Sequence, residues 1–280
     1  MDIRRKRFEE LRKMSNEEVQ AEAYALLKRF AALCRKHGLR YTLSGGTCLG
    51  AVRHNGFIPW DDDIDIDMPF PDFLRLLKVF RKEKNMEDVW LLYGMQRMCA
   101  NPWGKFCKRN TLVKSPLRDR AHSQSLWVDI LPLFALSDDE DEAQEQLRTI
   151  RSAILETHSY LNPHPLFGGA GFRAWVGGKV LGPLRLWLCT RRMQKAALRY
   201  PFGSTKYVHS MFIFGNEHEH VRKFPTDMWN HITTHRFEDE EFCIMEDTDT
   251  YLRTLYGPDY MTPPPPEERG GHDMEVYCLP

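Results

Sequence analysis

The chain has 280 residues, 42% of them hydrophobic, and its 39 basic residues balance 39 acidic ones. That length can bury one elaborated core or two closely joined parts, and zero net charge gives no support for a nucleic-acid-binding surface. Seven cysteines with no C-x-x-C spacing suit reduced thiols in a cytoplasm better than a disulfide framework. The N-terminus, MDIRRKRFEELRK, is charged and lacks an apolar h-region, so no signal peptide is expected; no run approaches the roughly 18–20 apolar residues of a membrane span.

Glu17 to His37 places Val19, Ala23, Leu26, Leu27, Phe30, Leu33 and Cys34 at helical spacing. Ser15 with Glu18 predicts a capping box at its start, and Gly38 a stop. Leu39 to Leu43 reads as a short strand, Ser44-Gly45-Gly46 as a turn, and Thr47 to His54 as the start of a helix. Glycines at such a turn let backbone N–H groups approach a phosphate, and a helix N-terminus favours the anion. Alone, the pair is also explained by a plain strand-to-helix turn.

It does not stand alone. The stretch Ser44 to Met68, SGGTCLGAVRHNGFIPWDDDIDIDM, ends in a ladder of aspartates. Read as a strand, Asp61, Asp63, Asp65 and Asp67 line one face, while Ile64, Ile66 and Met68 fill the other. Carboxylates two residues apart on a strand are about 6–7 Å apart and repel unless a cation neutralises them. Oxygen-only ligands on a rigid strand suit Mg²⁺ or Mn²⁺, often shared with substrate phosphates. A solvated acidic loop leaves the alternating isoleucines unexplained.

Beyond the ladder, Pro69 to Lys82 predicts a helix with Phe73, Leu76, Leu77 and Phe80 inward, and Val89 to Tyr93 a short strand. Trp103 to Val113 reads as a strand or hairpin arm whose Lys105, Lys108 and Arg109 either reach a phosphate or guard an exposed edge. In Leu126 to Leu131, Asp129 interrupts an apolar run, which is costly unless the carboxylate is paired or metal-bound, or caps a turn near Pro132. Asp138 to Tyr160 is polar and periodic, an exposed helix. Phe172 to Tyr200 mixes tryptophans and basic residues, as in an interfacial helix on anionic lipid or an ordinary packed insert. His231 and His235 have the spacing of a shared helical face, without a recognised zinc ligand set. Asp247 to Gly257 closes the series as a helix, followed by the stiff segment Pro263 to Pro266 and then by Arg269 and His272.

The run from Gly45 to Ile66, GG-T-x-LGAVRHNGFIPWDDDIDI, resembles the signature of the LicD family, the phosphocholine-transferase-like proteins related to fukutin and fukutin-related protein. Echoes continue at Trp127-Val128-Asp129-Ile130-Leu131-Pro132 and at Tyr256-Gly257 with Tyr260-Met261, PPPPEER and His272. The resemblance implies an α+β fold: a nucleotidyltransferase-like small mixed sheet with flanking helices and a helical insertion. The expected division is a catalytic core over 1–137, the insertion over 138–205 and a C-terminal part over 206–280 that folds back on the core.

The resemblance also implies transfer of a phospho-alcohol group from a CDP-activated alcohol such as CDP-choline to a glycan hydroxyl, lipid-linked acceptors included. Asp63, Asp65 and Asp129 form the expected catalytic and Mg²⁺ (or Mn²⁺) binding set, with Asp129 also a candidate general base. Ser44, Gly45 and Gly46 would cradle a donor phosphate, and Arg53 either contacts one or is structural. A quaternary ammonium calls for an aromatic wall, for which Trp60, Trp103 and Trp127 are candidates. No nucleic-acid partner is expected. The expected location is cytoplasmic, extending to peripheral association with the inner face of the membrane. Rival readings are a metal-dependent glycosyltransferase, a nucleotidyltransferase releasing pyrophosphate, and a calcium loop, the last weakened by Ile66 where an EF-hand needs glycine.

Overall fold

The computed structural model describes residues 8–93, 103–114, 125–161, 182–211, 223–270 and 274–279. Strand β1 (Arg12–Lys13) leads into helix α1 (Asn16–His37), where Ser15 and Glu18 form the capping box and Gly38, at φ 57°, closes the end. Val19, Ala23, Leu26, Leu27, Phe30, Leu33 and Cys34 are all buried, so the apolar stripe packs as its spacing requires. Strand β2 (Thr42–Leu43) runs through Ser44 into helix α2 (Gly45–His54), which ends on Asn55 in the left-handed region. Strand β3 (Asp65–Pro69), helix α3 (Phe70–Phe80) and strand β4 (Val89–Tyr93) follow.

Strands β5 (Gly104–Lys108), β6 (Thr111–Lys114) and β7 (Trp127–Leu136) precede helices α4 (Glu140–Leu161) and α5 (Gly182–Ala197). Next come β8 (Tyr207–Ser210), β9 (Lys223–Pro225), the hairpin β10 (Ile232–Phe237) with β11 (Glu240–Met245), helix α6 (Thr248–Tyr256) and strand β12 (Glu275–Cys278). Asp247 caps α6, its side chain accepting from the Thr250 N–H at 3.1 Å.

The main sheet is mixed, in the order β2-β3-β7-β5-β4, with β8 and β9 added along the far half of β7. Among the described residues only β3 and β7 run parallel; the other pairs of this sheet are antiparallel. A strand covered on both faces reads as a continuous apolar run, and β7 from Ile130 to Leu136 is buried throughout. A small sheet, β1-β12-β6, joins the two ends of the chain. Helices α4 and α5 pack antiparallel, with Arg192 reaching Glu156 at 2.8 Å and Arg199 reaching Glu142 at 3.3 Å.

Four details differ from the sequence reading. The strand of the ladder begins at Asp65, because Asp61 closes a turn on Ile58 and its side chain accepts from the Asp62 N–H. Strands β5 and β6 join different sheets instead of forming a hairpin. Helix α4 has an inner face, burying Ala143, Gln146, Ile150, Ala153 and Ile154. His231 precedes a strand and His235 lies within it, so they share no helical face. The helical segment expected over 172–200, with glycine interruptions at Gly177-Gly178 and Gly182-Pro183, is described only from Gly182, and His272 lies outside the described residues.

Candidate active site

The glycine turn and the ladder are stitched together by backbone. Ser44 donates its N–H to the Asp65 carbonyl at 3.0 Å, and Asp65 donates its own to the Thr47 hydroxyl at 2.9 Å. Gly45 adopts φ +51°, a conformation that L side chains rarely take. A Cβ there would lie 3.3 Å from Asp65 Oδ2 and 3.5 Å from Tyr256 Oη; one on Gly46 would lie 2.9 Å from Asp61 Oδ2. The glycines are therefore needed because carboxylates press on the turn.

From Asp61 to Ile66 burial alternates: Asp61, Asp63 and Asp65 are partly open, while Asp62, Ile64 and Ile66 are buried. The two-residue period thus extends upstream of the strand proper. It fails at Asp67, which is 1% exposed beneath α6. Among the described residues, Asp61, Asp62 and Asp63 each offer a carboxylate oxygen within 4.8 Å of one another. An all-oxygen set of this kind fits Mg²⁺ or Mn²⁺ in its chemistry.

Asp129 stands directly across from Asp65 in the parallel β3–β7 register and across from Lys105 in the antiparallel β5–β7 register. Register partners share a face, so Asp65, Asp129 and Lys105 form one row across three strands. Lys105 reaches Oδ1 of Asp129 at 2.8 Å and Oδ2 at 3.0 Å, with its side chain only 3% exposed. Trp103 donates its indole N–H to Oδ1 at 2.9 Å and Trp127 to Oδ2 at 2.6 Å. The lone carboxylate in the apolar run is thus paired and held by three donors, as its burial demands. Lys105 is neither an edge guard nor exposed. Lys108 instead pairs with Glu22, and Arg109 donates to the Val89 carbonyl at 3.3 Å.

Tyr251 is a further organiser that no sequence pattern signalled. Its hydroxyl is buried between three partners: it donates to Asp67 Oδ2 at 3.0 Å, accepts the Gly45 N–H at 3.1 Å and lies 2.9 Å from Ser44 Oγ. The Gly45 amide is therefore engaged by the phenol, and Ser44 does not cap its helix with its side chain. Burial, with the Asp67 carboxylate close by, holds the Tyr251 phenol well above its ordinary range. The same two causes push the Cys48 thiol up to about 12.

The C-terminal segment meets the motif at two points. Arg53 donates to the Tyr260 carbonyl at 2.9 Å and, through Nε, to His54 Nε2 at 2.9 Å. Arg269 lies 4.7 Å over the Trp60 ring while donating to the Pro264 carbonyl at 2.9 Å. Burial chiefly lowers the Arg53 guanidinium, nearby Tyr256 raises it, and the like charge of Arg269 lowers it again. Of the three tryptophans considered for a quaternary ammonium, Trp60 carries Arg269 and Trp127 carries Lys105 at 3.8 Å. The third, Trp103, is 7% exposed.

Among the described residues no helix is long and apolar enough to cross a membrane. The family model LicD/FKTN/FKRP, nucleotidyltransferase domain, matches residues 38–165, a span that holds the glycine turn, the ladder, Lys105 and Asp129. The chain is 25% identical to the lipopolysaccharide cholinephosphotransferase LicD of Haemophilus influenzae, an alignment that covers 96% of this chain and 100% of that protein. Ribitol 5-phosphate transferase FKRP of Homo sapiens and that of Mus musculus are each 51% identical over 35 residues, which is 12% of this chain and 7% of theirs. The matched span holds the elements that carry the carboxylates and the glycine turn, and over it the chain is similar to the nucleotidyltransferase domain of the LicD family.

Proposed function

We propose that this protein transfers a phospho-alcohol group, phosphocholine foremost, from a CDP-activated donor to a glycan hydroxyl in the modification of cell-surface polysaccharide. The observation that supports it most is the row Asp65–Asp129–Lys105 beside a glycine turn, within a domain whose full-length relative is a lipopolysaccharide cholinephosphotransferase. The short stretches of similarity to proteins named ribitol 5-phosphate transferases favour a phospho-polyol as the second donor class.

Asp61, Asp63 and Asp65 would hold Mg²⁺ or Mn²⁺, with Asp129 beside them; the ion, when bound, supplies charge neutralisation for a diphosphate. The chain's own residues do the rest. The α2 N-terminus behind Ser44 and Gly46 provides backbone dipoles for a phosphate. Arg53 and Arg269, on the neighbouring side, supply positive charge for the donor's phosphates. The acceptor hydroxyl attacks the phosphorus that carries the alcohol, the bond from that phosphorus to the bridging oxygen of the diphosphate breaks, and CMP leaves with that oxygen while the alcohol stays on the transferred phosphate. Asp129 is assigned the hydroxyl proton, its rotamer fixed by Lys105 and two indoles. Reaction beside the membrane's cytoplasmic face follows from a lipid-linked acceptor.

The test is incubation of the purified chain with Mg²⁺ and CDP-choline, CDP-ribitol or CDP-glycerol, with and without glycan, and chromatography of the nucleotide released. Glycan-dependent CMP release is expected. Pyrophosphate from a nucleoside triphosphate, or UDP or GDP from a sugar nucleotide, would instead establish the nucleotidyltransferase or glycosyltransferase reading.

A further inference from the structure

Helix α5 has two apolar sides. Inward, Cys189, Met193 and Ala197 are at most 3% exposed and pack towards α4 and β7. Outward, Leu184, Trp187 and Leu188 are 51–53% exposed. Their i, i+3, i+4 spacing places them together on one face. Single exposed leucines are ordinary, but a Leu-Trp-Leu cluster on one helical face is not explained by packing among the described residues.

Charge provides an independent observation. The chain is neutral overall, yet α5 carries Arg185, Arg191, Arg192 and Lys195 and no acidic residue. Arg192 is answered within the fold by Glu156 at 2.8 Å. Arg191 and Lys195 are exposed and continue the line of Trp187 at four-residue intervals, with the Arg191 guanidinium 4.9 Å over the Trp187 ring. The outward face is thus apolar towards its N-terminal end and cationic towards its C-terminal end.

We propose that this face of α5 docks on an anionic lipid bilayer. Leu184, Trp187 and Leu188 enter the boundary between headgroups and acyl chains, and Arg191 and Lys195 meet the headgroup phosphates. A tryptophan paired with a cation suits that boundary, where one side of the ring is apolar and the other wet. The helix lies on the bilayer without crossing it, in keeping with its length and charge. This surface is separate from the carboxylate row and holds whichever group the domain transfers.

The full chain is sedimented with vesicles of phosphatidylcholine alone and of phosphatidylcholine mixed with phosphatidylglycerol. Binding to the mixed vesicles is expected to be at least about tenfold tighter and to weaken with salt. Arg191→Glu with Lys195→Glu is expected to weaken it about 25-fold or more, at about fivefold for each cation lost. Leu184→Ser, Trp187→Ser and Leu188→Ser together are expected to abolish it, with circular dichroism melts reporting the fold. If that triple variant does not fold, the charge reversals, which lie wholly on the outward side, decide the matter. Equal, weak binding to both vesicles, or charge reversals without effect, would overturn the proposal. So would light scattering in which the serine variant turns a dimer into a monomer while vesicle binding stays unchanged, since the face would then belong to a second copy of the chain.

Discussion

The Lys105 ammonium sits 2.8 Å from the Asp129 carboxylate, 3% exposed, at the end of a row that continues to Asp65 on the next strand. Opening a pair this deep leaves an uncompensated charge, at a cost of about 3–5 kcal/mol. Lys105→Met is expected to lose about that much in urea unfolding, together with most of the transfer activity. Adding Asp129→Asn removes the stranded charge, so the double variant recovers most of the stability and none of the activity. A Lys105→Met protein with wild-type turnover would place the row outside the chemistry.

Asp63→Asn and Asp65→Asn each remove charge without changing side-chain volume in the partly open stretch that leads into β3. Transfer is expected to fall by about a thousandfold or more, while the thermal midpoint stays close to wild type. Donor-dependent CMP release and a melting curve on the same sample check both halves. Asp61→Asn tests the wider acidic set in the same way.

The two glycines fail for different reasons. Gly46→Ala meets Asp61 Oδ2 at 2.9 Å in otherwise acceptable backbone, so the carboxylate must move. Gly45→Ala adds a left-handed backbone at φ +51° to a 3.3 Å contact with Asp65. The first is expected to fold normally with reduced activity. The second is expected to lose at least about 1 kcal/mol of stability as well, measured by chemical unfolding.

Tyr251→Phe keeps the ring and deletes the hydroxyl shared by Asp67, Gly45 and Ser44. Leaving those buried groups without it is expected to cost about 1–3 kcal/mol. There is a pH signature too. A phenol raised above its ordinary value of 10.0 holds its proton longer in the folded chain than in the unfolded one. Its contribution is complete below about pH 10 and declines as pH rises above that value. The stability difference between wild type and Tyr251→Phe is therefore expected to narrow on the alkaline side, as read by unfolding curves at increasing pH.

Arg269 covers Trp60 next to the acidic cluster and comes close enough to Arg53 to oppose its charge. Arg269→Ala is expected to raise the KM for a CDP-alcohol about tenfold with little change in kcat, as loss of uniform binding does. A lowered KM for CDP-choline alone would mean that the guanidinium stands where the donor's ammonium must go.

The motif made the catalytic neighbourhood legible because its residues are local: the turn, the helix start and the ladder lie within one stretch, and the alternation of isoleucine with aspartate predicts the burial seen. Asp129 was legible as a carboxylate out of place in an apolar run. Its partners were not. Lys105 looked like an edge residue because nothing local shows that β5 is flanked by β4 and β7, and strand order is a long-range property. Tyr251 lies in an unremarkable amphipathic helix, and only the docking of α6 brings its hydroxyl to Gly45. The same docking explains why Asp67 is buried although its spacing groups it with the open aspartates.

The small sheet carries a kinetic consequence. Its middle strand, β12, aligns Cys278 with Arg12 and Glu275 with Lys114, so one of its two seams closes across 266 residues. Contacts of such sequence separation form slowly, because the intervening chain must be ordered first. Refolding should therefore show a late phase in which the segment that carries Arg269 to Trp60 arrives after the carboxylate row is assembled, and catalytic competence should lag behind the recovery of secondary structure.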